Sequence, residues 1–390
     1  MGHVPHKHSR TTGRPSAASS QDRRRIVLQW VAVAIVGIGV GAVIATDPSF
    51  SSFFSRTRIR HSEAKLPKPL DKMTAADLAA MPDAELEKLD PLVMNLIVAR
   101  GLPGLATLEI PSYVATVDDW ARQIDEGNRR LEPISKHDPT YLVSREFWMA
   151  GGMAVALAGP RFGIRYTSTG LDDRDPAQHF VHGVIDNRMG TCASMPVLHM
   201  AIGFRLGWPL KAVVSADHMW SRWDDGKPKE KGGIRFNLEA TNSKSDGSWG
   251  SFNSPSDEEY ASWLHTPRRV IENGSDFTSL TARQTLGVFL QSRAGVWVAR
   301  DCPDRAISDA RLAVACFPKN VDIQRMLAHA TGKDRPRWHR GTTVPAFGSR
   351  ARTVLSGQMR MSTIAVKCAA GSGESSNPRV PTNRPRLHAQ

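Results

Sequence analysis

The chain is poor in cysteine and tyrosine, with four of each in 390 residues, and poor in acids relative to bases, with 38 Asp and Glu against 51 Lys and Arg. So few cysteines, with no evident pair among them, exclude a disulfide-built scaffold. They also exclude a closed zinc module, because Cys192 with His182 and His199 matches no usual ligand spacing. No metal or cofactor is therefore expected. The net charge of +13 suggests a nucleic-acid partner until it is mapped along the chain. Residues 1–60 hold nine Lys and Arg against two acids, and residues 340–390 hold eight against one, so the intervening body is nearly neutral. A groove-binding fold would gather its cations on a folded face, and nucleic acid is excluded as a partner on that ground.

What is present begins with one long apolar run. Ile26 to Ala45 spans 20 residues whose only polar side chain is Gln29. A helix crossing the hydrocarbon core needs about 20 such residues. Arg23, Arg24 and Arg25 precede it, which by the positive-inside rule keeps residues 1–25 in the cytoplasm. The expectation is a single-pass anchor at 26–45 and an extracytoplasmic body, periplasmic in a bacterium. A cleaved signal peptide, with Val43 and Ala45 at its cleavage site, is the alternative and exports the body equally.

Residues 46–72 mix Ser, Pro, Lys and Arg and read as a linker. From Met73 the pattern turns helical. Thr74 can cap a helix with Asp77 three residues on, and Leu92, Leu96 and Ile97 fit the inner face of another that Gly101 and Pro103 end. Val114–Leu131 and Tyr141–Leu157 predict two more helices, and 159–178 a loop. Residues 335–390, rich in Ser, Gly, Pro and Arg, are expected to be a disordered basic tail.

The chemistry concentrates between Gly190 and Asn242. Gly190 frees the backbone for a turn, Thr191 is a good N-cap, and Met195, Leu198, Ile202 and Leu206 keep helical spacing until Gly207. Cys192 is thus expected in the first turn of a buried helix. There the dipole favours an anion, and the unpaired amides could hold the oxyanion of a tetrahedral intermediate. A small buried thiol is the other reading of Cys192 taken alone. His199 lies seven residues on, about 10 Å along the helix, out of the thiol's reach. Leu210–Trp223 alternates like a strand carrying His218, Trp220 and Arg222 on one face, and Ile234–Thr241 like a second with Arg235, Asn237 and Glu239 on one face. Adjacent antiparallel strands can set His218 beside Glu239. A helix-start thiol, a base and an acid then stand in the order nucleophile, base, orienting group. A structural histidine and a solvated edge charge are the other readings of the last two. Asn242, Thr191 and His182 are auxiliary candidates, with a surface position the alternative for His182.

Gly190-Thr191-Cys192, Asp217-His218-Met219-Trp220 and Leu238-Glu239-Ala240-Thr241 resemble the Gly-x-Cys, His-Ala-Trp and Leu-Asp-Pro-Thr motifs of the transglutaminase-like superfamily. The resemblance covers residues 90–265 and is strongest at 183–242. It implies an α+β, papain-like core over residues 73–265, with Cys192, His218 and Glu239 catalytic. Glu239 departs from the usual Asp by one methylene, with Asn242 as a backup orienter, and helix-rich relatives often lack the cysteine.

Past the core, Ala306, Ala313 and Pro318 are separated by seven and five residues. With Ala294, Trp297, Leu327 and Ala328, they are similar to a tetratricopeptide repeat, placed within 280–334 and expected to pack on the core. A generic helical hairpin is the alternative. Cys302 and Cys316 bracket its second helix about 21 Å apart, too far for a disulfide, and Cys368 lies in the tail. The functional expectation is a membrane-anchored cysteine hydrolase or acyltransferase acting on a peptide or protein. Its alternative is an inactive module of the same fold, with the helical repeat recruiting a protein partner.

Overall fold

The computed structural model describes residues 59–168, 171–215, 218–242 and 254–333. The chain is α+β: helices dominate, and a small antiparallel sheet lies against them. The expected tails 1–25 and 335–390, residues 46–58 of the 46–72 linker and Cys368 fall outside the described residues, as does the apolar run at 26–45. Among the described residues no helix is long and apolar enough to cross a membrane. The expected single-pass placement is therefore withdrawn, since no described helix supports it.

The order begins with α1 (Ala75–Ala80), α2 (Asp83–Leu86), α3 (Pro91–Ala99) and α4 (Ile110–Ser135). Thr74 and Asp77 form a reciprocal capping box at α1, each satisfying a backbone amide at the helix start. In α3 every residue from Leu92 to Ala99 is buried, the pattern of a helix enclosed on all sides. The expected helix 141–157 is two helices, α5 (Pro139–Val143) and α6 (Arg145–Ala158). Ser144 separates them because it adopts extended backbone and turns its hydroxyl to the Phe147 amide as an N-cap. The end of the linker is also not loose. Ile59 is buried, and the Arg60 amide donates to the Arg205 carbonyl at 2.9 Å.

Next come β1 (Arg165–Tyr166), α7 (Val181–Asn187), β2 (Met189–Gly190) and α8 (Met195–Leu206). The expected loop 159–178 therefore contains a strand, which pairs parallel with β2 in the register Tyr166↔Gly190. Gly190 is required by close packing and not by a special dihedral. A Cβ there would sit 2.6 Å from Met195 Cγ and 2.8 Å from Val184 Cγ2. Gly207 ends α8 in the left-handed conformation, at φ +70°.

The segment Leu210–Trp223 is not one strand. It folds as a hairpin of β3 (Leu210–Ser215) and β4 (His218–Asp224), in the register Ser215↔His218. Alternation runs through both arms, so it gave no sign of the reversal. β5 (Arg235–Leu238) pairs antiparallel with β4, with Ser221↔Leu238 and Arg222↔Asn237 in register. There follow α9 (Asp257–Leu264), α10 (Arg268–Glu272), α11 (Ala282–Ala299), α12 (Pro303–Cys316) and α13 (Val321–Ala330).

The last three helices pack on one another over small residues. Ala294, Ala306, Ala310 and Ala313 are buried and let the axes approach. α11 is also tied to the N-terminal helices. Arg283 reaches Asp83 and the carbonyls of Ala79 and Met81, and the Ala282 amide donates to Glu87 Oε1 at 2.9 Å.

The buried α8 is locked by charge as well as by apolar contact. Arg205 is fully buried, with Nη1 2.9 Å from Asp90 at the start of α3 and Nε 2.5 Å from Asp118 on α4. Two carboxylates around one guanidinium fix how three helices meet, since any other packing would strand a buried charge.

Candidate active site

Cys192 does not lie in the first turn of α8. It lies in the tight turn before it, because the regular helix begins at Met195 with Pro196 in its first turn. Thr191 builds that turn. Its carbonyl accepts from the amides of Ser194 and Met195, at 3.2 and 3.0 Å, and its Oγ1 accepts from the Ala193 amide at 3.2 Å. The hydroxyl donates in turn to the Gln178 carbonyl at 2.7 Å, and Ser194 Oγ accepts from the Thr191 amide at 3.0 Å. The amides of Ala193, Ser194 and Met195 are thus committed to Thr191.

His218 opens β4, and Glu239 follows directly on β5. Ser221↔Leu238 is the last pair of the ladder, and extending that register by one residue sets Glu239 opposite Trp220, on the face of His218 and diagonal to it. His218 Nε2 donates to Glu239 Oε2 at 2.8 Å. The remaining ring nitrogen, Nδ1, makes no hydrogen bond to a nitrogen or oxygen. The Cys192 side chain acts on the same ring through a hydrogen bond and its charge. The structure therefore gathers Cys192, His218 and Glu239, which are 2%, 0% and 5% exposed.

Electrostatics couples the three. Burial works against a charge on His218, but the Glu239 carboxylate and the hydrogen bonds to Cys192 and Glu239 outweigh it and raise the ring to about 10. Burial likewise opposes an ionised Glu239, yet the His218 charge and hydrogen bonds from His218, Tyr260 and Thr241 bring it down to about 2. At neutral pH the pair is imidazolium and carboxylate.

The auxiliary candidates separate. Thr191 shapes the cysteine turn. His182 is buried in the first turn of α7, not at the surface, and burial lowers its pKa while Asp186 and Asp175 are the charges that act on it. The side chain of Asn242 lies outside what is described. His199, buried on α8, has Nδ1 3.2 Å from Ser221 Oγ, whose hydroxyl donates to the Leu238 carbonyl at 3.4 Å. Burial lowers His199 to about 4.

Two contacts of the cluster, those of Thr241 and Tyr260 with Glu239, escaped the sequence reading. Thr241 gives Glu239 Oε1 its amide at 2.8 Å and its hydroxyl at 2.7 Å. Tyr260 donates its phenol to Glu239 Oε2 at 2.6 Å. Trp220 stacks on Tyr260 with centroids 4.2 Å apart and planes at 16°, and lies stacked 5.8 Å from the His218 ring. Thr241 had a signal, its place two residues after the acid. Tyr260 had none, being on a separate helix.

Among the described residues no three His, Cys, Asp or Glu side chains gather as a metal site. Comparison of the chain with family models, with curated proteins and with solved structures gives no match.

Proposed function

We propose that this chain is a cysteine-dependent acyl-transfer enzyme of transglutaminase-like, papain-like type, acting on a peptide or protein amide or on an ester. The observation that carries the reading is a buried imidazole that acts on a thiol while its Nε2 is held by a carboxylate. In this reading His218 holds the thiol proton and Cys192 Sγ attacks the acyl carbon. The C–S bond forms and the carbonyl electrons move onto oxygen. As that intermediate collapses, the C–N or C–O bond breaks, and the imidazolium gives its proton to the leaving amine or alkoxide. The thioester is resolved by water, deprotonated by the now neutral imidazole, and hydrolysis is the outcome preferred over transfer to an amine. Glu239 fixes the tautomer and stabilises the charged ring throughout.

A second reading, a chemically silent protein-binding module, draws on the near-complete burial of Cys192 and His218. The two readings separate in one experiment. The full chain is incubated with a p-nitrophenyl ester, quenched in acid, and weighed by intact-mass spectrometry. The enzyme reading expects one acyl group on Cys192, absent in Cys192→Ala and in His218→Ala. An unmodified wild-type chain supports the silent module.

A further inference from the structure

We propose that Tyr260 is a positioning residue that keeps Glu239 ionised and aimed at His218, a role that rests on the reading of Glu239 as the orienting acid. The Glu239 carboxylate has a limited capacity to accept hydrogen bonds. Two oxygens offer about four lone-pair positions. Glu239 fills them with four donors: Thr241 N and Thr241 Oγ1 on Oε1, and His218 Nε2 and the Tyr260 phenol on Oε2. A carboxylate so filled has no position left for a proton of its own. It can neither rotate away from the ring nor take the proton from Nε2 without breaking one of these bonds.

Tyr260 is itself fixed from several directions, which separates a built contact from a chance one. α9, which carries it, starts with a capping box of Ser256 and Glu259. Asp257 in its first turn takes Arg222 of β4 and the Asn237 amide of β5, the latter at 2.8 Å. Asn237 Oδ1 accepts from Trp220 Nε1 at 3.0 Å and from Arg222 Nε at 2.7 Å. Trp220, held in this way, is the platform on which the Tyr260 ring stacks. The phenol is fully buried, so its hydroxyl needs an acceptor, and Glu239 supplies it. β4, β5 and α9 are thereby tied into one frame behind the acid. Only the phenolic hydroxyl touches the carboxylate; the rest of Tyr260 is packing.

The two contributions can be parted by removing one oxygen. In the full chain, Tyr260→Phe keeps the stack on Trp220 and deletes the donor. With Glu side-chain carboxyl carbons labelled, NMR titration is expected to show Glu239 protonating about one pH unit higher in Tyr260→Phe than in wild type, the size of one hydrogen bond to a charged group. An unmoved Glu239 titration overturns the proposal. A reciprocal measurement serves if Tyr260→Phe does not fold: in Glu239→Gln, the Tyr260 phenol, labelled at Cζ, is expected to ionise at lower pH than in wild type. A phenol titration indifferent to Glu239→Gln overturns the proposal as well. These readouts do not depend on Cys192 reacting. A silent thiol with a shifted Glu239 titration would sink the enzyme reading and leave the Tyr260 contact standing, whereas a reactive thiol with an unmoved titration would do the opposite.

Discussion

Glu239→Gln is the substitution with the most to reveal, because it keeps the shape of the acid and removes its charge. Burial is the largest influence on His218 and acts to lower it, and Glu239 is the leading influence that raises it. Without the carboxylate the ring falls from about 10, because burial is then opposed by Cys192 alone, and each unit lost is worth ~1.4 kcal/mol. Whichever way the new amide is turned, its NH2 meets groups that donated to the carboxylate: His218 and Tyr260, or the Thr241 amide and hydroxyl. The expected loss of stability at pH 6 is roughly 3–5 kcal/mol, the range for breaking a buried ion pair from one side.

The pH dependence identifies the cause. His218 is raised in the folded state, so its stabilisation is complete below pH 6.5 and is lost as pH climbs through about 10. Glu239 is lowered, so its stabilisation is complete above pH 4.5 and is lost as pH falls through about 2. The difference between wild type and Glu239→Gln is therefore largest between pH 4.5 and 6.5 and shrinks toward pH 10. Urea titrations at pH 6, 8 and 10 measure it. A difference below ~1 kcal/mol at pH 6, or one constant to pH 10, would refute the reasoning.

His199→Asn tests the opposite case, a histidine held neutral. Its folded pKa of about 4 lies below the ordinary 6.5, so stability is present above 6.5 and is lost as pH falls to about 4. Thermal melts of the variant between pH 4.5 and 6.5 should show a shallower decline than wild type, by up to roughly 3 kcal/mol; a parallel decline would show that His199 titrates normally. Arg205→Ala should cost roughly 3–5 kcal/mol in urea denaturation by stranding Asp90 and Asp118, and adding Asp90→Asn and Asp118→Asn should recover part of the loss. No recovery would mean that Arg205 contributes by packing alone.

The local grammar was legible wherever one residue type has one physical use. The Thr74–Asp77 capping box, the end of α8 at Gly207 and the α+β make-up were readable from spacing and caps. The proximity of His218 and Glu239 was also readable, because antiparallel strands joined by a short return can pair in few ways. What failed did so for definable reasons. Alternation is identical in one long strand and in a hairpin, so the reversal after Ser215 was hidden. A helical spacing starting at Met195 says nothing about whether the three residues before it are helix or turn, and Cys192 lies among them. Tyr260 and Asp257 reach the site from a helix about 20 residues beyond Glu239, a tertiary contact with no periodic trace.

The central claim is that His218 activates the Cys192 thiol, and alkylation of the full chain by iodoacetamide at pH 6 tests it most directly. With mass-spectrometric assignment to Cys192, the account predicts modification well ahead of Cys302 and Cys316 and its collapse to their slow rate in His218→Ala. Labelling of Cys192 that is slow in wild type, or equally fast in His218→Ala, would contradict it.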